Sequence, residues 1–84
     1  MLRPDADAVL RRVGDGAILV HLGSGHVFEL NGTAARAWEL LAAGLDRASI
    51  LAALRDEYND QQNAIEHDVD SLFDFLTVHG LLSG

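Results

Sequence analysis

The sequence predicts an α+β domain of winged helix-turn-helix-like build, a three-stranded antiparallel β-meander followed by three α-helices (βββααα). Three observations carry this. Over residues 9–30 apolar side chains fall in short runs separated by the glycine clusters Gly14-Asp15-Gly16 and Gly23-Ser24-Gly25, the pattern of strands joined by tight turns. From Asn31 onward the apolar period changes from 2 to about 3.6. Start and stop residues then divide the rest of the chain into three helical pieces. A chain of 84 residues forms one small domain with a thin core. The expected division is a flexible N-terminal arm over 1–8 and a single domain over 9–84.

The arm contains Pro4 and two aspartates and offers little to bury. Val9–Val13 is the first expected strand. Asp15-Gly16 reads as a two-residue hairpin turn, because a type I′ turn needs positive φ at both central positions. Ala17–Leu22 is the second strand and His26–Leu30 the third. With Gly23, Ser24 and Gly25 as the loop, Val20 opposes Phe28 and Ile18 opposes Leu30. Those four then share the buried face, and Leu19, His21, Val27 and Glu29 take the other. The meander is marginal alone and needs helices on its apolar face.

Asn31 is suited to cap the first helix, since its side chain can accept from an orphan N–H of the first turn. Ala34, Ala37, Trp38, Leu41 and Leu45 form its apolar stripe, and Gly44 closes it in the left-handed conformation. Asp46 caps the second helix, with stripe Ile50, Leu51, Leu54 and Tyr58 and an end at Asn59-Asp60. Asn63 followed by Glu66 resembles a capping box for a third helix over residues 64–79. Its stripe is Ile65, Val69, Leu72, Phe73 and Leu76. Gly80 ends it, and Leu81-Leu82 is expected to fold back onto the core.

Composition narrows the function. Thirteen acids stand against six arginines, with no lysine, for a net charge of −7. Phosphate backbones need clustered cations, so nucleic acid is not an expected partner. Anionic membranes are disfavoured for the same reason, and the acidic start Met1-Leu2-Arg3-Pro4-Asp5-Ala6-Asp7 does not read as a signal peptide; the expected location is cytoplasmic. No cysteine is present, which excludes disulfides, thiolate metal sites and cysteine nucleophiles. His21, His26, His67 and His79 read as scattered surface histidines, with His21 and His26 on opposite faces. Asp68, Asp70 and Asp74 do not share a face, since at 100° per residue Asp68 and Asp70 lie about 160° apart. Ser24 between two glycines reads as a turn residue, and no catalytic group can be assembled around it. Trp38 is read as core. The expectation is therefore no enzyme, no metal and no cofactor.

Two features point to binding. Phe75 lies about 60° off Leu72 on the helical wheel, beside Ala64, Asp68, Ser71 and His79. It either widens the core contact or lines a groove at the core's edge. The third strand ends the meander, so one of its edges is open. Apart from Glu29 it carries no device that protects an edge. An open edge beside an apolar helix accepts an extended peptide as an added strand.

The chain resembles the PqqD family, the stand-alone RiPP precursor peptide recognition elements, over residues 9–82. The resemblance is carried by the junction Phe28-Glu29-Leu30-Asn31-Gly32-Thr33-Ala34-Ala35 and by Trp38-Glu39-Leu40-Leu41-Ala42-Ala43-Gly44. The second helix, from Ile50-Leu51-Ala52-Ala53-Leu54 to Tyr58, and the ending Asp68-Val69 through Leu72, Leu76 and Gly80-Leu81-Leu82 continue it. It implies a non-catalytic peptide chaperone. Such a protein binds the leader segment of a ribosomally made precursor as a strand between the third strand and third helix and presents the core peptide to a modifying enzyme. The implied peptide-binding residues are Val27, Phe28, Glu29 and Leu30 with Ala64, Asp68, Ser71, Leu72, Phe75 and His79. The cofactor-biosynthesis members usually carry a cysteine near the end of the first helix, which is absent here. The Trp38 version resembles the small recognition proteins of lasso peptide pathways, although a radical SAM partner enzyme fits the resemblance as well as a lasso-type protease or cyclase. Two other readings stand beside it. One is a winged-helix transcription regulator, which the acidic third helix disfavours; the other is a docking module that binds a protein but no peptide. A monomer or weak homodimer is expected, since Leu19, Val27 and Leu40 lie off the expected core face.

Overall fold

The computed structural model describes residues 3–58 and 64–83. Their order is β1 (Arg3–Pro4), β2 (Ala8–Val13), β3 (Gly16–His21), β4 (His26–Leu30), α1 (Gly32–Ala42), α2 (Arg47–Glu57), α3 (Ala64–Val78) and β5 (Leu82–Ser83). The three expected strands are β2, β3 and β4, an antiparallel sheet in chain order. The three helices follow them and cover one face, so the α+β, βββααα fold stands as predicted.

Two short strands add to it. Arg3–Pro4, inside the segment expected as an arm, pair antiparallel with Leu82–Ser83. Asp5 N–H donates to the Leu81 carbonyl at 2.9 Å. The His21 ring fastens the same segment: its Nε2 lies 3.0 Å from Asp5 Oδ2, and its Nδ1 lies 2.8 Å from Ser24 Oγ. This hydrogen bond holds the Asp5 carboxyl below the usual carboxylate range.

The expected register of the second hairpin is corrected by one residue. Leu19 faces Phe28, Ala17 faces Leu30 and Val20 faces Val27. The loop is Leu22-Gly23-Ser24-Gly25, closed by the His21–His26 pair, with Gly25 at φ +75°. A one-residue slip turns every side chain over. Leu19 therefore lies in the core at 0% exposure, while Ile18 and Val20 face away from the helices. His21 and His26 share a face rather than opposing one another. The physical reason is Leu22, which leaves the strand for the loop and is exposed. The first hairpin is also displaced: its two-residue turn is Gly14-Asp15, between paired Val13 and Gly16, and the glycine at positive φ is Gly14. Gly16 instead serves a close approach, because a Cβ there would collide with the Leu30 carbonyl oxygen.

The helix caps follow the local signals. Asn31 Oδ1 accepts from Ala34 N–H and Asp46 Oδ1 from Ser49 N–H, both at 2.8 Å. Gly44 and Gly80 take positive φ after α1 and α3. Leu81, just past Gly80, is fully buried. The core joins Leu19 and Leu30 of the sheet to Trp38 and Leu41 of α1, Ile50 and Leu54 of α2, and Val69, Leu72 and Leu76 of α3. Leu40, expected off the core, is buried too; α1 is covered by both other helices and the sheet, which widens its apolar stripe. Tyr58 is more exposed than its place on the α2 stripe suggests. Asn59-Asp60 and Asn63, read as helix signals, lie outside the described residues.

Ion pairs fasten the helices on their outer sides. Arg12 forks onto Glu39, Arg36 onto Glu57, and Arg47 onto Asp70, with closest distances of 2.7, 2.8 and 2.8 Å. Arg55 reaches Glu66 at 3.2 Å. Each guanidinium holds its carboxylate below the ordinary range where a shift is seen, at Glu39, Glu57 and Asp70.

Candidate functional site

β4 pairs with β3 on one side only. Its free edge runs beside α3, and between the two lies a groove of about 330 Å³. Glu29, Leu30 and Asn31 form one wall, Ala34 the end, and Asp68, Ser71, Leu72 and Phe75 the other wall. Asn31 belongs to both the strand end and the α1 cap, so the local stop-and-start signal also positions α1 against the groove. On α3, spacings of three and four residues bring Asp68, Ser71, Leu72 and Phe75 onto one flank. Leu72 is buried and Phe75 half-buried, while Ser71 is open to solvent.

One end of the groove is closed by aromatic contact. The Phe28 and Phe75 rings meet nearly perpendicular with centroids 5.0 Å apart. His79 tilts against both, at 4.9 Å from Phe28 and 4.5 Å from Phe75. Edge-to-face packing of this kind adds about 0.5–1.5 kcal/mol beyond area burial. Of the two readings left open for Phe75, the structure gives both: it widens the core contact and lines the groove.

The expected residues divide clearly. Glu29, Leu30, Asp68, Ser71, Leu72 and Phe75 line the groove. Phe28 and His79 lie at its aromatic end. Val27 is 60% exposed and sits on the outer face of the sheet, opposite Val20. Ala64 is exposed at the first turn of α3, away from the groove lining. Asn31 and Ala34 were missed as groove residues. No local signal marks them, because they line the groove only where α1 turns back beside β4.

The groove carries acid and no base. Asp68 lines the groove, and Glu29, paired with Ile18 on the outer face, borders it; neither has an ion-pair partner among the described residues. Asp68, the Ser71 hydroxyl and the free edge of β4 supply hydrogen-bonding groups beside the apolar walls of Leu30, Ala34, Leu72 and Phe75. An extended chain fits such a site by its main chain, and its alternate side chains fall into the groove. No group of three or more potential metal ligands occurs among the described residues, and none of their helices is long and apolar enough to cross a membrane.

The fold and site define a small sheet-and-helix domain with an exposed strand edge set beside a groove. The chain belongs to the PqqD family: the family model described as coenzyme PQQ synthesis protein D matches residues 16–82. Two solved structures are similar over nearly the whole chain. TbiB1 in complex with the TbiA(beta) leader peptide has a TM-score of 0.84 and 28% identity, covering 98% of this chain and 95% of its own. A lasso peptide synthetase B1 complexed with the leader peptide has a TM-score of 0.81 and 25% identity, covering 99% and 98%. No curated protein matches the chain.

Proposed function

We propose that this protein binds the leader segment of a ribosomally made precursor peptide and presents it to a modifying enzyme, without itself being a catalyst. The leader adds as a strand along β4 and lies against α3. The observation that carries this reading is the juxtaposition of the unpaired β4 edge with a groove of about 330 Å³ walled by α3. The two similar solved proteins, each in complex with a leader peptide, support it. Glu29, Leu30, Asp68, Ser71, Leu72 and Phe75 form the contact surface, with Phe28 and His79 supporting Phe75 from behind. Val27 contributes main chain rather than its outward side chain. The partner enzyme belongs to a lasso-type or radical SAM pathway. The protein acts in the cytoplasm, where precursor peptides are made, as a monomer or weak dimer.

The test is a fluorescence anisotropy titration with synthetic leaders of candidate precursor peptides. Binding in the nanomolar to low micromolar range, abolished by scrambling the leader and by Ser71→Trp, is the expected result. A folded protein that ignores every leader, alone and with the partner enzyme present, overturns the proposal. The regulator reading is not favoured, because α3 carries acids and no Arg or Lys over its described length.

A further inference from the structure

The helices cover one face of the β2–β3–β4 sheet and leave the other bare. Leu10, Leu19 and Leu30 pack with the core, so alternation along each strand turns their neighbours to the outer face. Register arranges these neighbours in rows. Val9, Val20 and Val27 lie side by side across the three strands, and Arg11, Ile18 and Glu29 form the next row. Val13, opposite Gly16, begins the third. Val9, Val13 and Val27 are 42%, 57% and 60% exposed. Of the three residues expected to be free for dimerisation, Val27 is open to solvent, whereas Leu19 and Leu40 are buried.

A contiguous apolar face of this kind marks a contact surface, and its charges select the partner. The chain carries a net charge of −7, yet these rows hold one base and one acid, at the two ends of the middle row. Arg11 and Glu29 are both exposed, with Ile18 between them. Neither has an ion-pair partner among the described residues, while four other arginines are engaged with acids. Two sheets packed face to face keep their strands within about 30° of each other. That leaves two choices for a twofold axis in the interface plane. An axis along β3 lays β2 of a second copy over β4 of the first. Arg11 of each copy then faces Glu29 of the other, Val9 faces Val27, and Ile18 and Val20 each face their own counterparts. An axis perpendicular to the strands instead sets Arg11 on Arg11 and Glu29 on Glu29. One arrangement alone matches opposite charges while it joins the apolar rows.

We infer that the outer face of the sheet is the interface of a symmetric homodimer, two copies packed sheet to sheet about an axis along β3. Such an interface is isologous, so the face must complement itself, as the Arg11–Ile18–Glu29 row does. Val13 of each copy comes over the hollow of about 290 Å³ that Gly16, Ile18 and Glu29 border on the other. Three strands about 4.8 Å apart and five residues of about 3.3 Å each give a footprint of roughly 15 by 16 Å. That is a smaller surface than the roughly 800 Å² per partner of a standard stable interface. The dimer is therefore weak and forms on the order of 10–100 μM. Its two β4 edges point to opposite sides and its two α3 grooves lie on the outside, so each copy keeps its own open edge.

Sedimentation velocity of the full-length protein from about 1 μM to about 1 mM is the test. The sedimentation coefficient is expected to rise with concentration from that of one chain toward that of two. Val9→Asp, at a position already open to solvent, weakens association more than about tenfold, because it sets a carboxylate against Val27 of the other copy. Thermal unfolding shows that the variant is folded. Arg11→Glu turns both ion pairs into repulsions and weakens association about fivefold. The double variant Arg11→Glu with Glu29→Arg reverses both pairs together and regains native association to within about twofold. No peptide enters these measurements, so their outcome is independent of the leader-binding reading. A protein that stays monomeric to about 1 mM overturns the dimer and leaves the face to another protein, such as the modifying enzyme. Association unmoved by Val9→Asp uses another surface, a pairing of two β4 edges for example, and overturns it too. A charge swap that fails to restore what Arg11→Glu removes overturns the axis along β3.

Discussion

Phe28 on the edge strand and Phe75 on the last helix meet edge to face, with ring centroids 5.0 Å apart. The contact joins the two elements that form the groove and sets the distance between its walls. Phe75→Ala is expected to cost about 1–3 kcal/mol, since the ring is half-buried and loses both area and aromatic contact. Leader binding weakens by more than that stability loss alone would cause at a temperature where the variant is fully folded. Urea unfolding beside anisotropy separates the two effects.

Ser71 is the groove residue whose replacement disturbs the fold least. Its side chain is open to solvent on α3 and lines the groove. Ser71→Trp fills the space a ligand strand needs. Loss of leader binding is expected, with a change in stability within about 0.5 kcal/mol. Thermal unfolding with a binding titration checks it, and full binding by the variant contradicts the groove.

The register can be tested by a pair of truncations. Leu19 is fully buried, so Leu19→Ala is expected to cost about 2–5 kcal/mol. Ile18, on the outer face, is expected to cost clearly less as Ile18→Ala. The register read from sequence reverses that order, and denaturant midpoints for the two variants decide between them.

Gly14 lies in the first hairpin turn and Gly16 directly follows it, yet they differ in what they require. Gly14→Ala leaves open space around the new methyl and is disfavoured by its φ of +58°, at a cost of about 1–2 kcal/mol. Gly16→Ala drives a Cβ into the Leu30 carbonyl oxygen and is expected to be the more damaging, with loss of the β3–β4 pairing near Leu30. Hydrogen exchange at the backbone amides of β3 and β4 reads the difference.

Acid is expected to weaken the fold. Arg36 lowers the Glu57 carboxyl, Arg12 that of Glu39, Arg47 that of Asp70, and the Ser49 amide that of Asp46. A group with a lowered folded pKa stabilises the protein above its unfolded value, and that contribution fades as pH falls through the folded value. The ordinary values are 4.5 for Glu and 3.8 for Asp. Stability is therefore expected to hold at neutral pH and to decline from about pH 4.5 downward. These pairs are solvent-exposed, so the decline is shallow and is reduced further by salt. Chemical denaturation across pH at two ionic strengths is the measurement.

The sequence by itself determined the order of the three meander strands and three helices, the helix caps at Asn31 and Asp46 and the closing glycines Gly44 and Gly80. Each is a local matter, settled within about one turn of chain by hydrogen-bond geometry or by the freedom of glycine at positive φ. The flank of α3 bearing Asp68, Ser71, Leu72 and Phe75 was legible for the same reason, because helical spacing alone places those residues together. The tertiary structure decided the rest. Whether Leu19 or Val20 enters the core depends on where Leu22 stands relative to the loop and on which face the helices cover, and a period of two fits either choice equally well. Asn31 and Ala34 joined the groove only when α1 turned back beside β4. The pairing of Arg3–Pro4 with Leu82–Ser83, the bond from Asp5 to His21 and the hollow over Gly16 bring together residues far apart in the chain. Contacts of that kind leave no periodic trace in the sequence, because their energy comes from surfaces that exist only once the chain has folded.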